Sequence, residues 1–333
     1  MARDGALPAY DPAGHDGELR TALQEVRAGR WLSMRTLLER TTHWWQWTQR
    51  TQVLAAGAAG TDVIRAWLAE EPDSVPAAVM RARVAVERAL RAHRERHRRT
   101  HELWIEAWDM SQGAARAAPS DPVPWVCLLA LAQLDRGQAW EEHRAPPPDP
   151  TLPPGPWGLL EEAVERDPHN REAHHRMLQF LYARSASGRL AEAAGFAYLA
   201  AEDAPPGSAL HVLPLYVRVE RYRRGGGREA ALDLHWVAED ATREALHAHT
   251  AWFGHSVPAE RSPLDLNHLA HALWGAHRFS DAARVFDAIG PCHTPVPWAY
   301  RSAVPGDHGE AAQVFLRART RTRSRPAVSS TDG

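Results

Sequence analysis

Apolar residues recur along most of this chain every three to four positions, the period of one face of an α-helix. Val63, Ile64, Trp67 and Leu68 form one such stripe behind a Thr61 cap, and Trp125, Leu128, Leu129 and Ala132 form another. Ser262-Pro263-Leu264-Asp265 has the chemistry of a helix start: a serine cap, proline at the first helical position and an acid three residues after the cap. Ser280-Asp281 opens the next helix in the same manner. No segment shows the alternation of a strand that ends in a hairpin turn. The pattern predicts an all-α chain.

Three stretches break the period. Residues 1–17 mix Gly, Pro and Asp; residues 143–157 hold seven prolines; residues 319–333 alternate Arg with Thr and Ser before turning small and polar. These breaks predict a flexible N-terminus over 1–17, irregular helical repeats over 18–142, a proline-rich loop over 143–157, helical repeats over 158–318 and a flexible basic tail over 319–333. The proline segment reads as an enlarged turn between repeats, because helix pairs of the same character resume on both sides of it.

Residues 266–286 carry the clearest internal pattern. Leu266, Leu269, Ala270, Leu273, Phe279, Ala282 and Phe286 place large residues on the inward face of two helices, with Ala270 and Ala282 where the backbones cross closely. This spacing resembles the tetratricopeptide (TPR) pattern. A second match opens at Asp167-Pro168-His169-Asn170, continues through Ala173, Met177, Leu178 and Leu181, and closes with Leu190, Ala193, Ala200 and Pro205. A third, looser copy runs through Leu215, Val219 and Tyr222 to Ala231 and Ala238, with Arg218 and His235 at positions where apolar residues are expected. The resemblance implies an α-solenoid of stacked antiparallel helix pairs with irregular repeats, specific over 168–290 and coarse over 61–135.

In TPR proteins the first helices of successive repeats line a concave groove that holds a peptide or a partner's helix. Carried across, the resemblance assigns Glu172, His175, Gln179 and Tyr182 to that groove in one repeat, Tyr216, Glu220 and Arg223 in the next, and Asn267, His271 and Trp274 in the last. Each set has i, i+4, i+7 spacing and so shares a helix face. A protein-binding scaffold, with a protein or peptide as partner, is therefore the expected function.

Charge adds a second candidate. The 333 residues carry a formal net charge of −2, too little for the whole-chain field to drive binding to nucleic acid or anionic lipid, and all 39 basic residues are arginine. Residues 81–101, however, hold eight arginines against two glutamates. As a helix over 81–99 this run would present a basic flank, with Arg91, Arg94 and Arg98 as candidate anion or nucleic-acid ligands. Aromatic residues able to stack on bases are missing from the run; Trp104 and Trp108 come afterwards.

Remaining signals point away from catalysis and cofactors. His93, His97 and His101 recur at i, i+4, i+8, but the nearby arginines would repel a dication, and no metal site is expected. Glu172–His175 and Glu244–His247 share the Glu-x-x-His spacing of di-iron bundles without the partner glutamates such a centre requires. Phosphate-binding glycine loops and a nucleophile elbow are missing, so no cofactor is expected and an enzyme is the weaker reading. Two cysteines make no disulfide framework. Residues 1–17 have neither the basic flank nor the apolar stretch of a secretory leader, and no run reaches membrane-spanning length, so a cytoplasmic protein without membrane contact is expected. Among 14 tryptophans, Trp44, Trp45 and Trp47 form the densest group, and adjacent Trp44 and Trp45 cannot share one helix face.

Overall fold

The computed structural model describes residues 10–185, 190–224, 234–301 and 307–323. All regular structure among them is helical, apart from an isolated antiparallel bridge between Ala145 and Gly155. Within that set no helix is long and apolar enough to cross a membrane. The chain divides into two compact units, His15–Phe196 and a second formed by Met1–Gly14 with Ala197–Gly333.

In the unit His15–Phe196, Val75–Arg94 and Thr100–Ala117 form a long helical hairpin. Ser74 caps the first arm by accepting the Ala77 N–H, and proline at its start removes an amide hydrogen that would have no helical partner. The hairpin packs on Val123–Ala132, the central helix of this unit. The sequence pattern predicted a stripe on that segment; instead it is apolar all round and covered on nearly every side, as such a helix must be. Trp125, half-buried, takes the Arg166 guanidinium over its ring at 5.0 Å.

The proline-rich segment lies inside this unit and does not separate two domains. Gly155 N–H donates to the Ala145 carbonyl at 3.0 Å, Trp157 Nε1–H donates to Pro153 O at 2.9 Å, and Leu152 is buried. Gly155 sits so close to Phe180 that a side chain there would crowd the ring. The segment is a packed flap.

The helix Arg171–Arg184 begins where the Asp167-Pro168-His169-Asn170 motif predicted, with Asn170 Oδ1 accepting the Ala173 N–H at 2.9 Å. Thr61 accepts the Val63 N–H at 3.4 Å at the start of Val63–Glu70, although Asp62 occupies the cap position.

In the second unit, Pro263–Gly275 and Phe279–Ile289 pack as a helix pair. Leu266, Leu269, Ala270, Leu273, Phe279, Ala282 and Phe286, the inward positions of the sequence pattern, are all buried there. Ser262 caps the first helix as predicted. The second starts one residue earlier than Ser280, after an Arg278 cap that makes no side-chain hydrogen bond. His277 turns the chain between the two at φ 59°. Trp236, Trp252, Trp298 and Phe315 complete the core around this pair. The helix Glu239–His247 runs directly into the π-helix Ala248–Phe253.

The basic tail begins later than the sequence indicated. The helix His308–Arg323 continues past residue 318, Thr322 is buried, and Arg323 pairs with Asp287 at 2.7 Å. Residues 324–333, together with Ala231 of the third repeat copy, lie outside the described residues.

Candidate functional site

The ten positions assigned to a groove separate into interior and accessible groups. On Arg171–Arg184, Glu172 points into the core at 3% exposure. Its Oε1 accepts from Arg83 Nη1 at 2.7 Å and from Arg176 Nη2 at 2.8 Å. Burial pushes this carboxyl up, but the two guanidiniums outweigh it and hold it below the usual range. Glu172 is thus a core ion-pair member rather than a groove residue. His175 and Tyr182 are half-buried and Gln179 is exposed, while residues 173, 174, 176–178, 180 and 181 are buried. The accessible middle of this helix is therefore the i, i+4, i+7 stripe His175, Gln179, Tyr182.

In the second unit, Tyr216 is half-buried; its hydroxyl donates to Asp265 Oδ1 at 2.6 Å and its ring stacks on His268 at 3.7 Å. Glu220 accepts from Arg223 Nε at 2.7 Å and Arg224 Nε at 2.6 Å, leaving Arg223 on the surface. Asn267 and His271 are 0% and 3% exposed and do not line a groove. Asn267 Oδ1 accepts the Trp298 indole N–H at 2.8 Å, and Asn267 Nδ2 donates to Pro263 O at 2.8 Å. His271 Nε2 accepts from Arg301 Nε at 2.7 Å between the rings of Trp236 and Trp298. Burial, then the Arg301 charge, holds His271 neutral, well below the ordinary imidazole value. Trp274 is half-buried, with the Arg301 guanidinium 4.6 Å above its ring. The physical reason for the correction is packing: Pro263–Gly275 is contacted by Leu213–Arg224, Glu239–His247 and Phe279–Ile289, so more than one of its faces is covered.

The arginine run does not form one helix. It stops at Arg94, turns through Arg96 at φ 53°, and restarts at Thr100. His93, His97 and His101 consequently do not share a helix face; among the described residues no three His, Cys, Asp or Glu side chains are grouped to hold a metal. Arg83 is buried against Glu172, Arg88 donates to the carbonyls of Ala59 and Thr61, and Arg99 pairs with Glu102 at 2.7 Å. Arg91, Arg94 and Arg98, the candidate anion ligands, are exposed at the hairpin tip together with Arg96.

Two arrangements had no signal in the sequence. The first is the Arg83–Glu172–Arg176 network, whose members come from helices 89 residues apart. Beside it, Asp121 accepts the Trp47 indole N–H at 2.9 Å and is pushed up to about 6 by burial. The second anchors the flap. His143 Nδ1 lies 2.9 Å from Asp135 Oδ2, and its ring meets Trp104 and Trp108 edge-on. Trp140 packs on the same two indoles at 4.6 and 5.1 Å. Burial lowers His143, with Asp135 pulling in the opposite direction.

Of the N-terminal tryptophans, Trp44 reaches solvent at 37% exposure, Trp45 stacks on His43, and Trp47 is buried on Asp121. Glu172 and Glu244, the acids of the two Glu-x-x-His pairs, are occupied by Arg83 and Arg218 in different compact units. Compared with known proteins, the chain matches no family model, no curated protein and no solved structure.

Proposed function

We propose that the protein is a cytoplasmic interaction scaffold whose helix pairs stack in the TPR-like manner its sequence resembles. A peptide or helix of a partner protein docks on the accessible face of Arg171–Arg184. The observation that carries this reading is the stripe His175, Gln179, Tyr182, two half-buried rings flanking an exposed amide on a helix otherwise committed to the core. Burial of the inward positions of the pair Pro263–Gly275 and Phe279–Ile289 supports the repeat reading. Glu172 contributes indirectly, by fixing the helix through Arg83 and Arg176.

The test is capture of partners from native lysate by the wild-type protein and by a His175→Ala/Gln179→Ala variant. His175 is half-buried and Gln179 is exposed, so the variant should keep its helical circular dichroism and lose the specific partner. Recovery of the same proteins by a well-folded variant would contradict the proposal.

A further inference from the structure

The hairpin tip holds more positive charge than its own carboxylates neutralise. Among the described residues Arg91, Arg94, Arg96 and Arg98 have no carboxylate within ion-pair distance, although paired arginines are common elsewhere in the chain. Arg136, also exposed and without an ion pair, adds to the same neighbourhood: after burial, its charge and that of Arg94 are what lower His93. The opposing charge at the tip is modest. Glu95 is exposed, Glu102 is taken by Arg99, and Asp135 is held by His143.

Helix electrostatics explain part of this. Cations in a last turn complement the negative end of the helix dipole, which accounts for Arg91 and Arg94 on Val75–Arg94. Arg96 and Arg98 lie beyond the last turn of that helix, where the dipole's effect falls off. Arg96 also holds a left-handed backbone conformation that costs a non-glycine residue about 1 kcal/mol. Concentrating like charges on a strained turn is destabilising unless an external anion neutralises them.

We propose that this tip docks on the phosphate backbone of double-stranded nucleic acid. Three features select that partner. Guanidinium groups bind phosphate oxygens in a planar, bidentate manner. Trp104 and Trp108, the nearest aromatics in sequence, are buried under the flap, so the tip offers unstacked bases no platform. The arginines crown a turn between two helix ends, a protruding feature suited to a rigid ligand with pre-ordered charge rather than a flexible peptide that must be ordered on binding. The net charge of −2 does not oppose this. At physiological salt, charges more than about 8 Å away are largely screened, and the local patch decides.

The experiment is fluorescence anisotropy of a labelled 20-base-pair DNA duplex, the matching RNA duplex, the single strand and a polyglutamate peptide, titrated with full-length protein. Four neutralised phosphates give a log–log salt slope of about −3.6, so duplex affinity should fall at least about a hundredfold between 50 and 200 mM salt. Arg91→Ala/Arg94→Ala/Arg98→Ala should make that slope shallower by about 2.7 and leave the protein folded, because all three side chains are exposed. DNA and RNA duplexes should behave alike. A salt-independent affinity, an unchanged slope in the folded variant, tighter binding of the single strand, or equal binding of polyglutamate would each overturn the proposal.

Discussion

The TPR resemblance places Glu172, Gln179 and His271 in one groove, yet their environments make opposite demands. Glu172→Ala leaves the Arg83 and Arg176 guanidiniums buried without their carboxylate. It should cost about 3–5 kcal/mol in urea unfolding, the usual consequence of removing one partner from a buried ion pair. Gln179→Ala, on the surface, removes an acceptor of Arg176 at 3.1 Å but leaves the Glu172 pairing in place, so it should cost no more than about 1 kcal/mol. His271→Ala removes the acceptor of Arg301 and opens a void beside Trp236 and Trp298, so it should lower the thermal midpoint by several degrees. Spacing identifies which residues share a helix face but says nothing of what covers that face. The Arg83 partner of Glu172 lies 89 positions away, a separation no local pattern records.

Elements were more legible than contacts, because their ends are set by local chemistry. Asn170 and Ser262 cap helices where the sequence indicates, each through a hydrogen bond to an amide two or three residues on. Apolar periodicity likewise located the pair Pro263–Gly275 and Phe279–Ile289. Composition conceals tertiary order. Seven prolines in 143–157 predict an enlarged turn but not its packing, in which Trp140 and His143 dock the flap on Trp104 and Trp108. Trp140→Ala should therefore cost about 3 kcal/mol and speed proteolytic cleavage within 143–157. Cleavage at the wild-type rate would show that the indole does not hold the flap. The arginine run misled in the opposite direction, since good helix formers on both sides concealed the turn at Arg96.

At the scale of the whole molecule, periodicity predicted the all-helical class but not the division into two compact units, whose boundary near residue 196 coincides with no break in composition. Acid should destabilise the fold. Burial holds His174 at about 4 and lowers His143, His211, His235, His249 and His271, so the unfolded chain takes up more protons than the native one as pH falls below the ordinary imidazole value of 6.5. His174 alone removes roughly 3 kcal/mol between pH 7 and 4. Asp121, raised to about 6, gains its proton more readily in the native state and offsets a similar amount. The other histidines tip the sum, and urea unfolding at pH 7 and 4.5 should show lower stability in acid. Docking of a partner on the accessible face of Arg171–Arg184 is tested most directly by placing a photo-crosslinking amino acid at Gln179 and, as a control, at exposed Glu161. A discrete adduct from Gln179 that is missing from Glu161 is the predicted result; equal labelling at both positions, or none at Gln179, would contradict it.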